Sequence, residues 1–167
     1  MLERKGRILM RAVVFSDSHG NYDVLEQIVE RHKDDADLFI HLGDGEREME
    51  LLRYAYPEKK FVFVSGNCDY GSEVPDFDLL DFGGKKIFLT HGWRFSVKSS
   101  LDYVKEEARK YKADIALFGH THIAGTDYDD GLYLMTPGSC GRPRSGFPSY
   151  GIVDITEAGI ILHTVEL

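Results

Sequence analysis

The chain has 167 residues, 43% of them hydrophobic and 29% charged, which is enough for one domain with one sizeable core. No apolar run approaches the roughly 20 residues needed to cross a bilayer, and a formal charge of −8 argues against a broad surface for extended nucleic acid. Two cysteines, Cys68 and Cys140, make no disulfide framework and suit a reducing compartment, so the protein is expected in the cytoplasm.

Met10-Arg11-Ala12-Val13 reads as a natural chain start. Residues 1–9 are therefore expected to be an extension, disordered or paired at an edge, before a single domain over 10–167. Ala12 to Phe15 is too short for a signal-peptide core. Short runs rich in β-branched and aromatic residues follow in order: Arg11 to Phe15, Asp37 to His41, Phe61 to Val64, Lys86 to Leu89 and Asp114 to Phe118. Their near-continuous apolar character predicts buried strands. Helical periodicity lies between them, with Val24, Leu25, Ile28 and Val29 on one face of 21–32, and Met49, Leu52 and Tyr56 on one face of 46–56. In 99–111, Leu101, Val104, Ala108 and Tyr111 share a face, and Ser99 and Asp102 have the spacing of a capping box. Three hairpins are expected, turning at Gly83-Gly84, at Asp130-Gly131 and near Glu157 to Gly159. Strand–helix alternation combined with hairpins predicts two packed mixed sheets flanked by helices.

The strand ends carry the chemistry. Asp17-Ser18-His19 follows the first run, Gly43-Asp44 the second and Gly66-Asn67 the third. His91-Gly92 follows the run ending at Leu89, and Gly119-His120-Thr121-His122 the run ending at Phe118. Ligands of α/β sheets bind at the carboxyl ends of strands, so parallel strands would bring these groups to one edge. Each motif is weak in isolation; five in one chain, all at strand ends, are not.

The candidate ligands are Asp17, His19, Asp44, Asn67, His91, His120 and His122. Seven side chains are too many for one tetrahedral site. Four imidazoles with carboxylates and an amide oxygen suit Mn, Fe, Co, Ni or Zn better than Ca or Mg. A carboxylate shared between two such ions would leave a net positive centre that attracts a phosphate ester despite the acidic surface.

These ordered motifs resemble the calcineurin-like metallophosphoesterase superfamily. The small size, and Pro137-Gly138-Ser139 to Pro143-Arg144, resemble its compact single-domain phosphodiesterases of bacteria and archaea. The resemblance implies a four-layer α/β/β/α sandwich and two divalent transition-metal ions per chain. It assigns Asp17, His19 and His122 to the first ion and Asn67, His91 and His120 to the second, with Asp44 as the bridge. It makes Asn67, His91 and His120 the catalytic members, with Asn67 also orienting substrate. It further implies in-line attack on phosphorus by a metal-bridging hydroxide, a small phosphoester as substrate, and a homodimer or homotetramer. Many members carry His after Gly-Asn as a proton donor to the leaving oxygen. This chain has Cys68, a weaker choice near neutrality, so esters with good leaving groups are the expected substrates. A phosphomonoesterase and a nuclease stay open within the same class. A non-catalytic interaction scaffold, the role of a eukaryotic retromer subunit with this fold, would be expected to have lost ligands; here all seven stand.

Other polar residues have plainer readings. His41 is expected to be packed or to support a ligand, His32 to end a helix, and His163 and Cys140 to be structural. Arg142 and Arg144 follow a Gly/Ser loop, and Arg144 is the candidate clamp for a substrate phosphate. Trp93, Phe95 and Tyr70 are candidates for the pocket mouth. Asp127 to Asp130 reads as a solvated hairpin tip.

Overall fold

The structure, a computed structural model, describes residues 6–167. Of the expected extension, 1–5 lie outside the described residues, while Ile8 and Leu9 open the first strand. The elements run β1 (Ile8–Phe15), α1 (Tyr22–His32), β2 (Leu38–His41), α2 (Glu46–Ala55), β3 (Phe61–Phe63), β4 (Phe77–Phe82) and β5 (Lys85–Thr90). A short 3₁₀ turn (Trp93–Phe95) then leads to α3 (Asp102–Lys110), β6 (Ile115–Phe118), β7 (Ala124–Asp129), β8 (Leu132–Pro137), β9 (Ser149–Thr156) and β10 (Gly159–Glu166).

Two five-stranded sheets result, ordered β10-β9-β1-β2-β3 and β4-β5-β6-β8-β7. β1, β2 and β3 are parallel, as are β5, β6 and β8; the hairpin strands β9, β10, β4 and β7 add antiparallel neighbours. Each sheet therefore turns three parallel strand ends toward one edge.

Strand alternation sorts side chains into layers. Ala12 and Val14 of β1, Leu38 and Ile40 of β2, Ile87 and Leu89 of β5, and Ile115 and Leu117 of β6 fill the space between the sheets. Val13, Phe15 and Phe39 face outward onto Leu25, Ile28 and Val29 of α1 and Met49 and Leu52 of α2. Phe88, Ala116 and Phe118 face outward onto Val104 and Ala108 of α3. The order helices, sheet, sheet, helix is the expected four-layer α/β/β/α sandwich. β3 differs from the other predicted strands: it is an edge strand and is only half-buried.

One expectation fails. Ser99 and Asp102 do not form a capping box, because α3 starts at Asp102 itself. Ser100 takes the capping task locally, its Oγ accepting the Asp102 N–H at 3.1 Å. Among the described residues, no helix is long and apolar enough to cross a membrane.

Candidate metal centre

All seven predicted ligands sit on loops that leave parallel strands at the shared edge. Asp17 and His19 follow β1, Asp44 follows β2 and Asn67 follows β3. His91 follows β5, and His120 and His122 follow β6. Five of them have left-handed backbones, with φ of 55° at Asp17, 46° at His19, 59° at Asp44, 70° at His120 and 59° at His122. That conformation costs a residue with a Cβ roughly 1–2 kcal/mol, and its clustering marks a functional site. Hydrogen bonds hold the loops in it. The N–H groups of Asp17 and His19 donate to the carbonyls of Gly43 and Asp44, each at 3.0 Å. The His120 N–H donates to Asp17 Oδ2 at 3.0 Å. Two glycines make the crowding possible: a Cβ at Gly66 would collide with Asp44 Oδ1, and one at Gly45 with Ser18 Oγ.

The side chains converge. Ligand atoms of Asp17, His19 and His122 lie within 4.8 Å of one another, as do those of Asp17, Asp44 and His91, and of His19, Asp44 and Cys68. The tautomers are fixed from outside. His91 Nδ1 is 2.7 Å from the Leu42 carbonyl and His122 Nδ1 is 2.6 Å from that of Arg142. A carbonyl only accepts, so both Nδ1 atoms carry the proton and both Nε2 atoms present lone pairs to the centre. His91 Nε2 then faces Asn67 Oδ1 at 3.0 Å, His120 Nδ1 at 3.2 Å and Asp44 Oδ2 at 3.3 Å. His122 Nε2 faces Asp17 Oδ1 at 3.0 Å and His19 Nε2 at 3.3 Å. With both rings neutral, the contacts of His91 Nε2 with Asn67 Oδ1 and Asp44 Oδ2, and of His122 Nε2 with Asp17 Oδ1, set acceptor against acceptor. Asp17 Oδ1 is also a buried polar atom left without a hydrogen-bond partner, although Oδ2 of the same carboxylate receives Ser16 Oγ–H at 2.6 Å. Such a set needs a cation, and its N and O donors fit divalent metal ions.

Electrostatics agree. Burial by itself would raise the Asp17 carboxyl, but His122, His19 and His91 hold it well below the usual carboxylate range. Asp44 is likewise lowered against the pull of burial, through His91 and the Cys68 N–H. His91 is raised despite burial because Asp44 and Asp17 face it. His120 is pushed down to about 4, first by burial and then by His91 and Lys98.

Supporting groups were less visible in the sequence. Asp69 gathers four backbone donors: Gly66 N–H at 2.7 Å and Asp44 N–H at 2.8 Å on one oxygen, Gly45 N–H at 3.0 Å and Glu46 N–H at 3.1 Å on the other. It joins the loops after β2 and β3 and caps α2 from a distance. His41 is fully enclosed, and burial depresses it to about 4. The Gly43 N–H donates to its Nδ1 at 3.0 Å, so Nε2–H faces Ser18 Oγ at 2.9 Å, and Ser18 Oγ–H donates to Glu48 Oε1 at 2.9 Å. Glu48 also accepts the Gly20 N–H at 2.5 Å. This chain ties the Asp17–His19 loop to the Asp44 loop. Nothing in the sequence sets Glu48 apart from the other charges of 46–56. Gly-Asn-x-Asp, read through to Asp69, was the one available sequence signal for that carboxylate.

The remaining candidates are dispersed. Cys68 is exposed at the rim of the centre; its N–H donates to Asp44 Oδ1 at 2.7 Å, and burial, then Asp44, raises its thiol above the ordinary value. Arg142 lines the cleft beside His19 and Asp44, whereas Arg144 is not among the residues lining it. The contact of Arg144 with the centre is through its backbone N–H, which donates to the His122 carbonyl at 3.1 Å. Tyr70 lines an adjoining trough that shares Arg47, Cys68 and Asp69 with the cleft, and neither Trp93 nor Phe95 lines either cavity. His32 is buried and holds Tyr150 Oη at 2.8 Å and Asp35 at 3.0 Å. Cys140 is buried, its thiol 3.4 Å from the Ser16 carbonyl. His163 lies exposed on β10.

A double-sheet sandwich with an Asp/His/Asn cluster at its parallel strand ends defines a metal-dependent phosphoesterase. The chain belongs to the calcineurin-like phosphoesterase superfamily, whose domain description matches residues 10–158. It is 39% identical over 135 residues to a probable metallophosphoesterase, YsnB, of Bacillus subtilis, covering 81% of this chain and 78% of that one. It is 30% identical over 173 aligned residues to the phosphodiesterase YfcE of Escherichia coli, covering 87% and 88%. The solved structure of a predicted phosphoesterase from Streptococcus pneumoniae superposes with a TM-score of 0.82 at 26% identity, over 94% of this chain and 89% of that one.

Proposed function

We propose that this protein is a dinuclear-metal-dependent phosphodiesterase acting on a small phosphodiester. The observation that carries the reading is Asp17 Oδ1, buried, unpartnered and facing His122. In this reading Asp17, His19 and His122 hold one ion, and Asn67, His91 and His120 the other. Asp44 stands between them. Its Oδ2 is 3.6 Å from His19 Nε2 and 3.3 Å from His91 Nε2, while Oδ1 is occupied by the Cys68 N–H. Two ions bound there would lower the pKa of water to supply a nucleophile near neutrality and would neutralise charge growing on the phosphoryl oxygens.

The chain's own groups do the rest. The Leu42 and Arg142 carbonyls hold the imidazoles of His91 and His122 in the ligating tautomer. Asn67 Oδ1 faces His91, which leaves its Nδ2, 3.5 Å from Cys68 Sγ, as a donor that a phosphoryl oxygen could accept from. The Cys68 thiol, held protonated and raised, is a poor proton donor to a departing alkoxide. Esters with good leaving groups are therefore favoured.

The test is release of nitrophenol from bis(p-nitrophenyl) phosphate between pH 6 and 9, with Mn²⁺ or Ni²⁺ and then with chelator. Metal-dependent turnover abolished by the chelator is expected. No turnover with any of these additions across that range would sink the enzyme reading.

A further inference from the structure

A cavity of about 260 Å³ opens beside the metal centre, with His19 and Asp44 at one end and Arg47, Arg142 and Cys68 on its walls. Two acids also line it, Glu48 and Asp69, but both are already engaged. Glu48 receives Ser18 Oγ–H and the Gly20 N–H. Asp69 receives four backbone N–H groups on its two oxygens. The arginines are not matched in this way. Arg11, Arg53, Arg94 and Arg109 each pair with a carboxylate; among the described residues Arg7, Arg31, Arg47, Arg142 and Arg144 pair with none, and of these Arg47 and Arg142 line this cleft. In a chain with 28 acidic and 20 basic side chains, two exposed guanidiniums without a carboxylate partner, brought into one cleft beside the metal centre, make a local site suited to an anion.

We propose that this cleft is a subsite for a second phosphoryl group on the substrate, gripped by Arg47 and Arg142 while the scissile diester lies at the metal centre. The inference rests on the phosphodiesterase reading and gives it a substrate class: phosphodiesters that carry a further phosphate. The chemistry is that of the guanidinium fork, which matches a phosphate's oxygens with paired, charge-assisted hydrogen bonds. Arg47 reaches the cleft from the first turn of α2, and Arg142 from the loop after β8 that also fixes His122. The subsite is thus built from both sheets, as the metal centre is.

Two esters with the same leaving group read the extra phosphate: thymidine 5′-(p-nitrophenyl phosphate) and its 3′-phosphorylated form. With Mn²⁺ the unaltered protein should prefer the 3′-phosphorylated ester by roughly ten-fold in kcat/KM. Arg47→Met combined with Arg142→Met should bring that ratio to about one, and Arg47→Glu below one, whereas Arg53→Met, at the far end of α2, should leave it unchanged. Calorimetry with thymidine 3′,5′-bisphosphate and thymidine 5′-monophosphate on the Mn²⁺-loaded protein decides the subsite without turnover. The same preference, lost in the double variant, supports it. Equal affinities, or equal turnover of the two esters, overturn it and leave the phosphodiesterase reading intact. A retained binding preference with no hydrolysis of either ester would break the phosphodiesterase reading instead.

Discussion

The two sheets meet at one edge but bring unlike donors to it. From β1, β2 and β3 come Asp17, Asp44 and Asn67, which are carboxylates and an amide; from β5 and β6 come His91, His120 and His122, which are imidazoles. His19 is the one imidazole on the first sheet's side. Neither sheet carries a complete site, so the centre exists because the sandwich closes. Its spacing is set by the packing of Leu38, Ile40 and Leu42 against Ile87, Leu89 and Leu117, and bonds across the gap secure it. His91 Nδ1–H reaches the Leu42 carbonyl, the His120 N–H reaches Asp17 Oδ2, and Ser139 Oγ–H donates to the Asp17 carbonyl at 2.7 Å. Polar edge and apolar interlayer are thus one mechanical unit, and the first sheet's carboxylates carry most of the risk because they are buried charges.

The comparison breaks most sharply at Asp44. Asp44→Ala removes the carboxylate that faces both His19 and His91; on the proposed two-ion reading, metal content should fall from two ions per chain to one or fewer. The kcat/KM for bis(p-nitrophenyl) phosphate should drop by roughly a thousand-fold or more. Two ions still bound per chain would refute the bridge. A second effect belongs to His41 behind the same loops. Its ordinary value is 6.5 and its folded value about 4, so between those pH values the unfolded chain takes up a proton that the fold refuses. Stability of the metal-free protein is therefore lost as pH falls from 6.5 toward 4, by up to about 3 kcal/mol from this group. The depressed Asp17 carboxyl erodes stability further as acid protonates it. Urea midpoints measured at pH 7, 5.5 and 4.5 should decline in that order; a flat series would contradict a buried neutral His41.

Asp69 tests the first sheet's loops without replacing a ligand. Asp69→Ala leaves the N–H groups of Asp44, Gly45, Glu46 and Gly66 without their acceptor. Metal affinity should weaken by roughly 10–100-fold, the scale seen for supports of metal ligands, and Asp69→Asn should recover part of it through its remaining acceptor oxygen. Competition with a chromogenic chelator measures this, and an unchanged affinity would make Asp69 a helix cap and nothing more.

The seven donors could be seen in the sequence because each ends an apolar strand, most beside Gly, a local pattern that parallel pairing then gathers. The groups behind them could not. Asp69 matters because β2 and β3 are parallel neighbours, which puts its carboxylate under three N–H groups from another loop as well as that of Gly66 in its own. Glu48 sits at a surface-looking place on α2 and is buried only because the β1 loop lies over it. Arg142 and Arg144 are two residues apart in one loop, and their order in space is set by the Arg142 carbonyl turning in to His122. The Ser99 capping box failed for the same reason at smaller scale: spacing marks a possible cap, but the chain after Val97, buried against Phe118 and the glycine at 92, delays the first helical turn to Asp102. The order of the sheets was equally unreadable, since pairing of β9 with β1 joins segments more than a hundred residues apart.

Cys68 sharpens the comparison by the smallest step, at an exposed rim position on the first sheet's side. Its Sγ lies within 4.8 Å of ligand atoms of both His19 and Asp44, close enough for a side chain there to meet a leaving oxygen. The thiol is raised by burial and by Asp44, so near neutrality it stays protonated but gives its proton up too reluctantly to be an efficient acid. An imidazole at this point would titrate near the working pH, and the neighbouring carboxylates Asp44 and Asp69 would favour its protonated form. Cys68→His should therefore speed hydrolysis of a methyl p-nitrophenyl diester very little. It should speed that of a diester with only alkyl or nucleoside leaving groups by about ten-fold, below the roughly 100- to 10,000-fold that a fully positioned general acid supplies. The gain should fade as pH rises above the new imidazole's pKa. Equal gains on both esters would mean that the substitution altered metal binding rather than proton delivery, and no gain on the poor leaving group would show that the leaving oxygen departs on a side Cys68 does not face.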